Sequence, residues 1–203
     1  MSRIIKTIAT AAVFAGLFAA SASAQESRQF EGVIIVAASA SPSQQDAATS
    51  QKDTASARFK RATIVNFAST ATPGSILVNT REHALYLVLG NGQAAKYRVA
   101  TAKKGFEWAG THKISSKAKW PSWSPPAEMR QRRPELPTFM AGGPANPLGA
   151  RALYLGNSIY RIHGTNEPKS IGKSASSGCI RMLNEDVSEL YRSVKLGATV
   201  TVF

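Results

Sequence analysis

Residues 160–165 read Tyr-Arg-Ile-His-Gly-Thr, and residues 176–184 read Ser-Ser-Gly-Cys-Ile-Arg-Met-Leu-Asn. The first stretch predicts a short strand that delivers His163 at its end. The second predicts a glycine-containing turn that delivers Cys179 shortly before a helix beginning at Asn184. Side chains at strand ends and turns can converge in a cleft. Cys179 is the single cysteine of the chain. An internal disulfide scaffold is therefore excluded, as is a zinc ribbon, which needs cysteines in pairs.

These residue types suit nucleophilic chemistry. The thiolate is the attacking species, a free thiol is mostly protonated at neutral pH, and an imidazole within hydrogen-bond reach can take its proton. Histidine fits that task because its ordinary pKa lies near ambient pH. Gly164 has no side chain, so its backbone carbonyl is a candidate to accept the Nδ1 hydrogen bond and hold the ring. Gly178 permits a turn in which the amides of Gly178 and Cys179 face a developing oxyanion. Arg181 can grip a substrate carboxylate with two hydrogen bonds. Each residue also has a plain structural reading: a satisfied histidine at a strand end, a solvated arginine, and turn residues at Ser176 and Ser177. His83, at the start of an apolar strand, and His112, with no motif around it, are weaker candidates.

Around this stretch the pattern is mainly β with a few helices. Strands are predicted at Thr63–Phe67, Ser75–Asn79, His83–Leu89, Ala94–Thr101, Arg151–Leu155, Ser158–Ile162 and Thr199–Phe203, with Gly90-Asn91-Gly92 closing a hairpin. One helix is well marked. Asn184 reads as its N-cap, Glu185 and Asp186 suit its dipole, Val187, Leu190, Tyr191 and Val194 form an apolar stripe, and Gly197 reads as the C′ residue. Residues 120–147 hold seven prolines with Trp120, Trp123 and Phe139. Proline at that density argues against regular helix or central strand, and the tryptophans favour a functional lid over disorder.

The N-terminus reads as an export leader. Arg3 and Lys6 precede the apolar, uncharged run Thr7–Ala20, and Ala22-Ser23-Ala24 offers small residues for cleavage before Gln25. The run is shorter than the roughly 20 residues a spanning helix needs. An uncleaved anchor is the alternative; a lipid anchor would need a cysteine after the cleavage site. The expected organisation is a signal peptide at 1–24, a flexible tether and transition segment at 25–73, and a catalytic domain at 74–203. Lys and Arg total 25 against 12 acidic residues, a net charge of +13. That balance suits a polyanionic partner, nucleic acid or an acidic envelope polymer, without choosing between them.

His163-Gly164-Thr165 followed by Ser176-Ser177-Gly178-Cys179-Ile180-Arg181-Met182-Leu183-Asn184 resembles the signature of the L,D-transpeptidases, the YkuD-type catalytic domain. The likeness runs from about Ser75 to Phe203. It implies a β-sandwich-type domain with the cysteine in a cleft, and cysteine-based transfer of peptidoglycan stem peptides. By position, Cys179 matches the family nucleophile, His163 its general base, and Gly164 the residue whose carbonyl orients the histidine. Ser176 matches the residue opening the cysteine motif, Gly178 the glycine before the nucleophile, and Arg181 an arginine near the donor peptide. Many members carry a second histidine where this chain has Ser177, so His163 is the sole motif histidine. Trp120 and Trp123 are expected to contact substrate from the lid. The implied partners are stem peptides, with an envelope protein as a second candidate acceptor. Nucleic acid, a stable membrane anchor, a metal and an organic cofactor are not expected. The expected location is the periplasm. A hydrolase of the same fold, of L,D-carboxypeptidase type, and a catalytically silent wall-binding module are the rival readings.

Overall fold

The expected hairpin is present. The computed structural model describes residues 29–30, 33–34, 49–50 and 53–203. In it, β5 (Ala84–Gly90) and β6 (Gln93–Arg98) pair antiparallel. Asn91 and Gly92 both sit at positive φ, +52° and +67°, as a two-residue hairpin turn requires. His83, expected as the first strand residue, has φ +49° and belongs to the preceding turn. The expected leader, 1–24, and most of the tether lie outside the described residues. Two short strands, β1 (Gln29–Phe30) and β2 (Val33–Ile34), pair with each other, and residues 53–58 are helical (α1).

The remaining strands are β3 (Thr63–Asn66), β4 (Ile76–Asn79), β7 (Thr101–Ala102), β8 (Gly110–Lys119), β9 (Arg151–Leu155), β10 (Arg161–His163), β11 (Ser174–Ser176), β12 (Ile180–Arg181) and β13 (Thr199–Val202). Seven of these, with β5 and β6, form one nine-stranded sheet in the order β12-β10-β9-β8-β13-β4-β5-β6-β3, while β7 and β11 pair with each other. The predicted strand Ser158–Ile162 is shifted toward the chain end: Ser158 folds into a turn with its hydroxyl on the Leu155 carbonyl, so pairing begins at Arg161.

Strand β8 is the corner of the sheet. Residues 110–113 pair with β13, whereas 114–119 pair with β9 after an irregularity at Ile114/Ser116. Buried residues from both limbs share one core: Ile76, Val78, Leu85 and Tyr97 on one side, Leu153, Leu155, Ile162 and Ile180 on the other. A bridge between Ala100 and Arg181 ties the far edge strand back to the chain leaving β6. The sandwich is thus a single sheet bent over its own core.

Helix α3 (Asn184–Ser193) covers this core with Val187 and Leu190 and packs on β9 and β10. Its ends differ from the expectation. The N-cap is Leu183, with no capping side chain; Asn184 is already helical and turns its Oδ1 to the backbone N–H groups of Ala150 and Thr165, at 2.9 and 3.2 Å. The C-cap is Val194. Lys117 of β8 supplies the stop, its Nζ donating to the carbonyls of Tyr191 and Val194 at 2.5 and 2.8 Å. Gly197 serves the later turn into β13.

Two further segments depart from the sequence reading. Phe59 is buried, and the Glu189 carboxylate of α3 accepts the backbone N–H groups of Arg61 and Ala62 and the Tyr97 hydroxyl. Residues 59–66, read as transition, are therefore docked on the domain. The proline-rich segment does contain a helix, α2 (Ala127–Arg132). It fits because residues 127–133 lack proline and Pro126 stands at the N-cap, where a missing N–H costs nothing.

Candidate active site

Strands β10 and β12 run parallel with Ile162 opposite Ile180 and His163 opposite Arg181. Ile162 and Ile180 point into the core, where both are fully buried. Period-2 alternation then places Arg161, His163, Cys179 and Arg181 together on the opposite face. The fifteen residues between His163 and Cys179 do not separate them, because the ladder brings both ends of that excursion to adjacent strands.

His163 is 4% exposed, and its Nδ1 lies 2.6 Å from the Gly164 carbonyl. A carbonyl only accepts, so Nδ1 carries the proton and Nε2 presents its lone pair. Burial pushes the imidazole pKa down to about 3; the Gly164 bond acts the other way, and the charges of Arg181 and Arg161 lower it further. The ring is neutral at physiological pH. Behind it, the His163 carbonyl accepts from Met182 N–H at 2.8 Å, which fixes the strand end.

Cys179 sits in a turn braced from three sides. Ser176 Oγ donates to the Cys179 carbonyl at 2.5 Å and accepts from Gly178 N–H at 3.2 Å. Trp108 Nε1 donates to the Gly178 carbonyl at 2.7 Å, and the Trp108 ring stacks on Tyr160 at 4.1 Å between centroids. Gly178 has φ +111°, and a Cβ there would stand 2.8 Å from the Tyr160 ring, so only glycine fits. The expectation that Gly178 N–H faces an oxyanion is corrected: Ser176 Oγ already takes that amide. The thiol itself is half-buried and reaches the Ile159 carbonyl at 3.9 Å. Burial raises its pKa, while the charge and backbone amide of Arg161 and the charge of Arg181 pull it down.

Arg181, expected to meet a ligand carboxylate, meets one of this chain's own. Its Nη1 pairs with Glu167 Oε2 at 2.8 Å. Ser177 flanks the turn, half-buried. Trp120 is 43% exposed at φ +44°, and Trp123 bridges Met140; neither makes a hydrogen bond or ring contact with Cys179 or His163. Their segment does touch both flanks of the site. The Arg132 guanidinium lies over the Phe106 ring at 5.1 Å, and the Phe106 carbonyl adjoins Gly178. At the other end, Asn166 Nδ2 donates to the Ala145 carbonyl at 2.8 Å.

Sequence reasoning missed Trp108, Tyr160 and Arg161. Arg161 was findable, since it lies two residues before His163 on one strand and must share its face. Trp108 follows no motif and reaches the turn only through tertiary packing. Among the described residues no group of three His, Cys, Asp or Glu side chains is placed to hold a metal ion. No helix there is long and apolar enough to cross a membrane.

The L,D-transpeptidase catalytic domain model, YkuD, matches residues 73–202. The probable L,D-transpeptidase YbiS of Escherichia coli K12 is 36% identical over 140 residues, covering 62% of this chain and 43% of that protein. The putative L,D-transpeptidase YqjB of Bacillus subtilis is 35% identical over 133 residues, covering 63% and 69%. The chain therefore spans less than half the length of YbiS. Among solved structures, an L,D-transpeptidase from Mycobacterium smegmatis matches with TM-score 0.53 at 16% identity, covering 68% of this chain and 62% of the other. That likeness is one of fold.

Proposed function

The chain belongs to the L,D-transpeptidase catalytic-domain family, and on that premise we propose that it is an exported acyltransferase acting on peptidoglycan stem peptides, with Cys179 as nucleophile and His163 as base. The observation that carries this reading is the Nδ1 bond of His163 to the Gly164 carbonyl, on the face that also holds Cys179. It leaves Nε2 unprotonated and directed by a rigid strand end rather than a mobile loop.

In the proposed cycle the thiol proton passes to Nε2 as sulfur attacks the carbonyl between the third stem residue and the terminal D-amino acid. Burial makes the imidazolium unstable, so His163 gives the proton on readily to the departing amine. The D-amino acid leaves and a thioester remains. An acceptor amine attacks the thioester, His163 again relays the proton, and the thiol is restored. A stem side chain as acceptor gives a 3→3 crosslink, an envelope protein gives anchoring, and water gives carboxypeptidase action. The basic balance of the chain suits an acidic wall polymer.

The test is the intact mass of the protein after incubation with a tetrapeptide stem. The wild type gains the mass of the stem less that of the free terminal D-amino acid, and Cys179→Ala gains none. An adduct of equal yield on Cys179→Ala, or none on the folded wild type, refutes the reading.

A further inference from the structure

We propose that Arg161 is the thiolate-holding residue of this site: its guanidinium receives the negative charge on the Cys179 sulfur once the proton has moved to His163. The inference rests on Cys179 acting as the nucleophile.

The placement follows from the ladder. Continuing the register Ile162 to Ile180 one step back sets Arg161 across from Cys179. Both side chains already meet at one atom: the Ile159 carbonyl accepts from Arg161 Nη2 at 3.1 Å and from Cys179 Sγ at 3.9 Å. Losing the thiol proton changes that contact. A thiolate cannot donate to a carbonyl and is repelled by it; the Arg161 backbone amide already faces the sulfur, and the guanidinium, on the same carbonyl oxygen, is placed to add a charged donor.

Arg161 also has capacity to spare. Its Nε is buried without a hydrogen-bond partner, and no salt bridge to it is present among the described residues. A buried unpaired N–H is costly, and such groups are uncommon unless a partner arrives during function. The neighbouring cation differs: Arg181 is paired with Glu167. Other titratable side chains near the thiol turn are His163 on the strand of Arg161, the Tyr160 phenol before it, and His112, whose ring meets Trp108 and Tyr160 edge-on at 5.5 and 6.4 Å; the loop carrying Trp108 also bears exposed Lys103, Lys104 and Glu107. His163 cannot provide a lasting positive charge, because its buried ring resists protonation. Of the two fixed cations near this turn, Arg161 is the one without a carboxylate partner among the described residues, and it supplies the charge a thiolate needs.

The experiment is the pH dependence of iodoacetamide alkylation of the full chain, whose single thiol makes the signal unambiguous. An opposite charge at close range lowers an acid's pKa by about 1–3. Arg161→Gln should raise the alkylation midpoint by about 1 or more, slowing reaction about tenfold at neutral pH, and Arg161→Lys should fall between it and the wild type. Glu167→Gln, on an exposed side chain, should lower the midpoint by releasing the charge of Arg181. An unmoved midpoint in Arg161→Gln overturns the proposal, including the case where only KM for the stem rises, which would make Arg161 a substrate anchor. Should Arg161→Gln not fold, Arg161→Met, uncharged and of similar length, is read in its place, and a wild-type midpoint there overturns the proposal equally. Stem acylation of the wild type is read separately, so failure of this inference and failure of the proposed activity are distinguishable.

Discussion

His163 should make the fold acid-sensitive through a mechanism that one substitution removes. Its folded pKa is about 3, against about 6.5 for an unfolded histidine. Below the unfolded value the unfolded chain binds a proton that the folded chain refuses, so stability falls as pH drops through that window and levels off only near the folded value. Each pH unit within the window is worth about 1.4 kcal/mol, so between about pH 7 and pH 5 the group removes about 2 kcal/mol. His163→Gln keeps an amide that can donate to the Gly164 carbonyl but does not titrate. Carboxylates such as Asp186 titrate in both proteins and cancel from the difference. The assay is urea denaturation of both proteins at several pH values and constant ionic strength. The wild type should lose about 2 kcal/mol more than the variant over that interval. Equal losses, within about 0.5 kcal/mol, would mean that the imidazole is solvated enough to charge in place, and the neutral-base reading would fall with it.

Replacing Trp120 and Trp123 with Ala should raise the ratio of hydrolysis to amine transfer while Cys179 still acylates, because the segment bridges Phe106 and Asn166 across the site and would exclude water; an unchanged product ratio by mass spectrometry leaves it a structural loop. Asn184→Ala strips an acceptor from the Ala150 and Thr165 amides and should cost about 1–3 kcal/mol in denaturation, with Asn184→Asp milder; a loss below about 0.5 kcal/mol would refute the role. Glu189→Gln weakens the carboxylate that receives Arg61 N–H, Ala62 N–H and the Tyr97 hydroxyl, and should expose residues 58–62 to limited proteolysis ahead of global unfolding; unchanged cleavage would show that β3 alone holds that edge.

Legibility in the sequence followed the strength of local signals. The β5–β6 hairpin was readable because alternation and Asn91-Gly92 agree. The apolar stripe of α3 was readable for the same reason, but its caps were not: Asn184 has the right chemistry for an N-cap and spends it on Ala150 and Thr165, partners remote in sequence. Strand β8 escaped because Gly-Thr-His-Lys-Ile-Ser-Ser-Lys-Ala-Lys buries only Ile114; its pairing comes from neighbours on both sides, not from its own periodicity. At the site, His163-Gly164 and the Ser176–Cys179 turn are two short local patterns with evident chemistry. The Glu167 pairing of Arg181 and the Trp108–Tyr160 brace depend on loops whose geometry no local pattern encodes.

The placement of β13 sets an order of events for the nascent polypeptide. Residues 199–202 lie between β4 and β8 in the sheet, so the limb carrying His163 and Cys179 is joined to the hairpin limb through a ribbon that is synthesised after both. Until it arrives, β4 and β8 each show an open edge, and the bend at Ile114 has nothing to fold against. Hairpin, corner and thiol turn can each collapse locally, yet they cannot be assembled in the sequence in which they emerge. Closure of the one sheet that carries the thiol turn on one limb and the hairpin on the other therefore waits for residues 199–202.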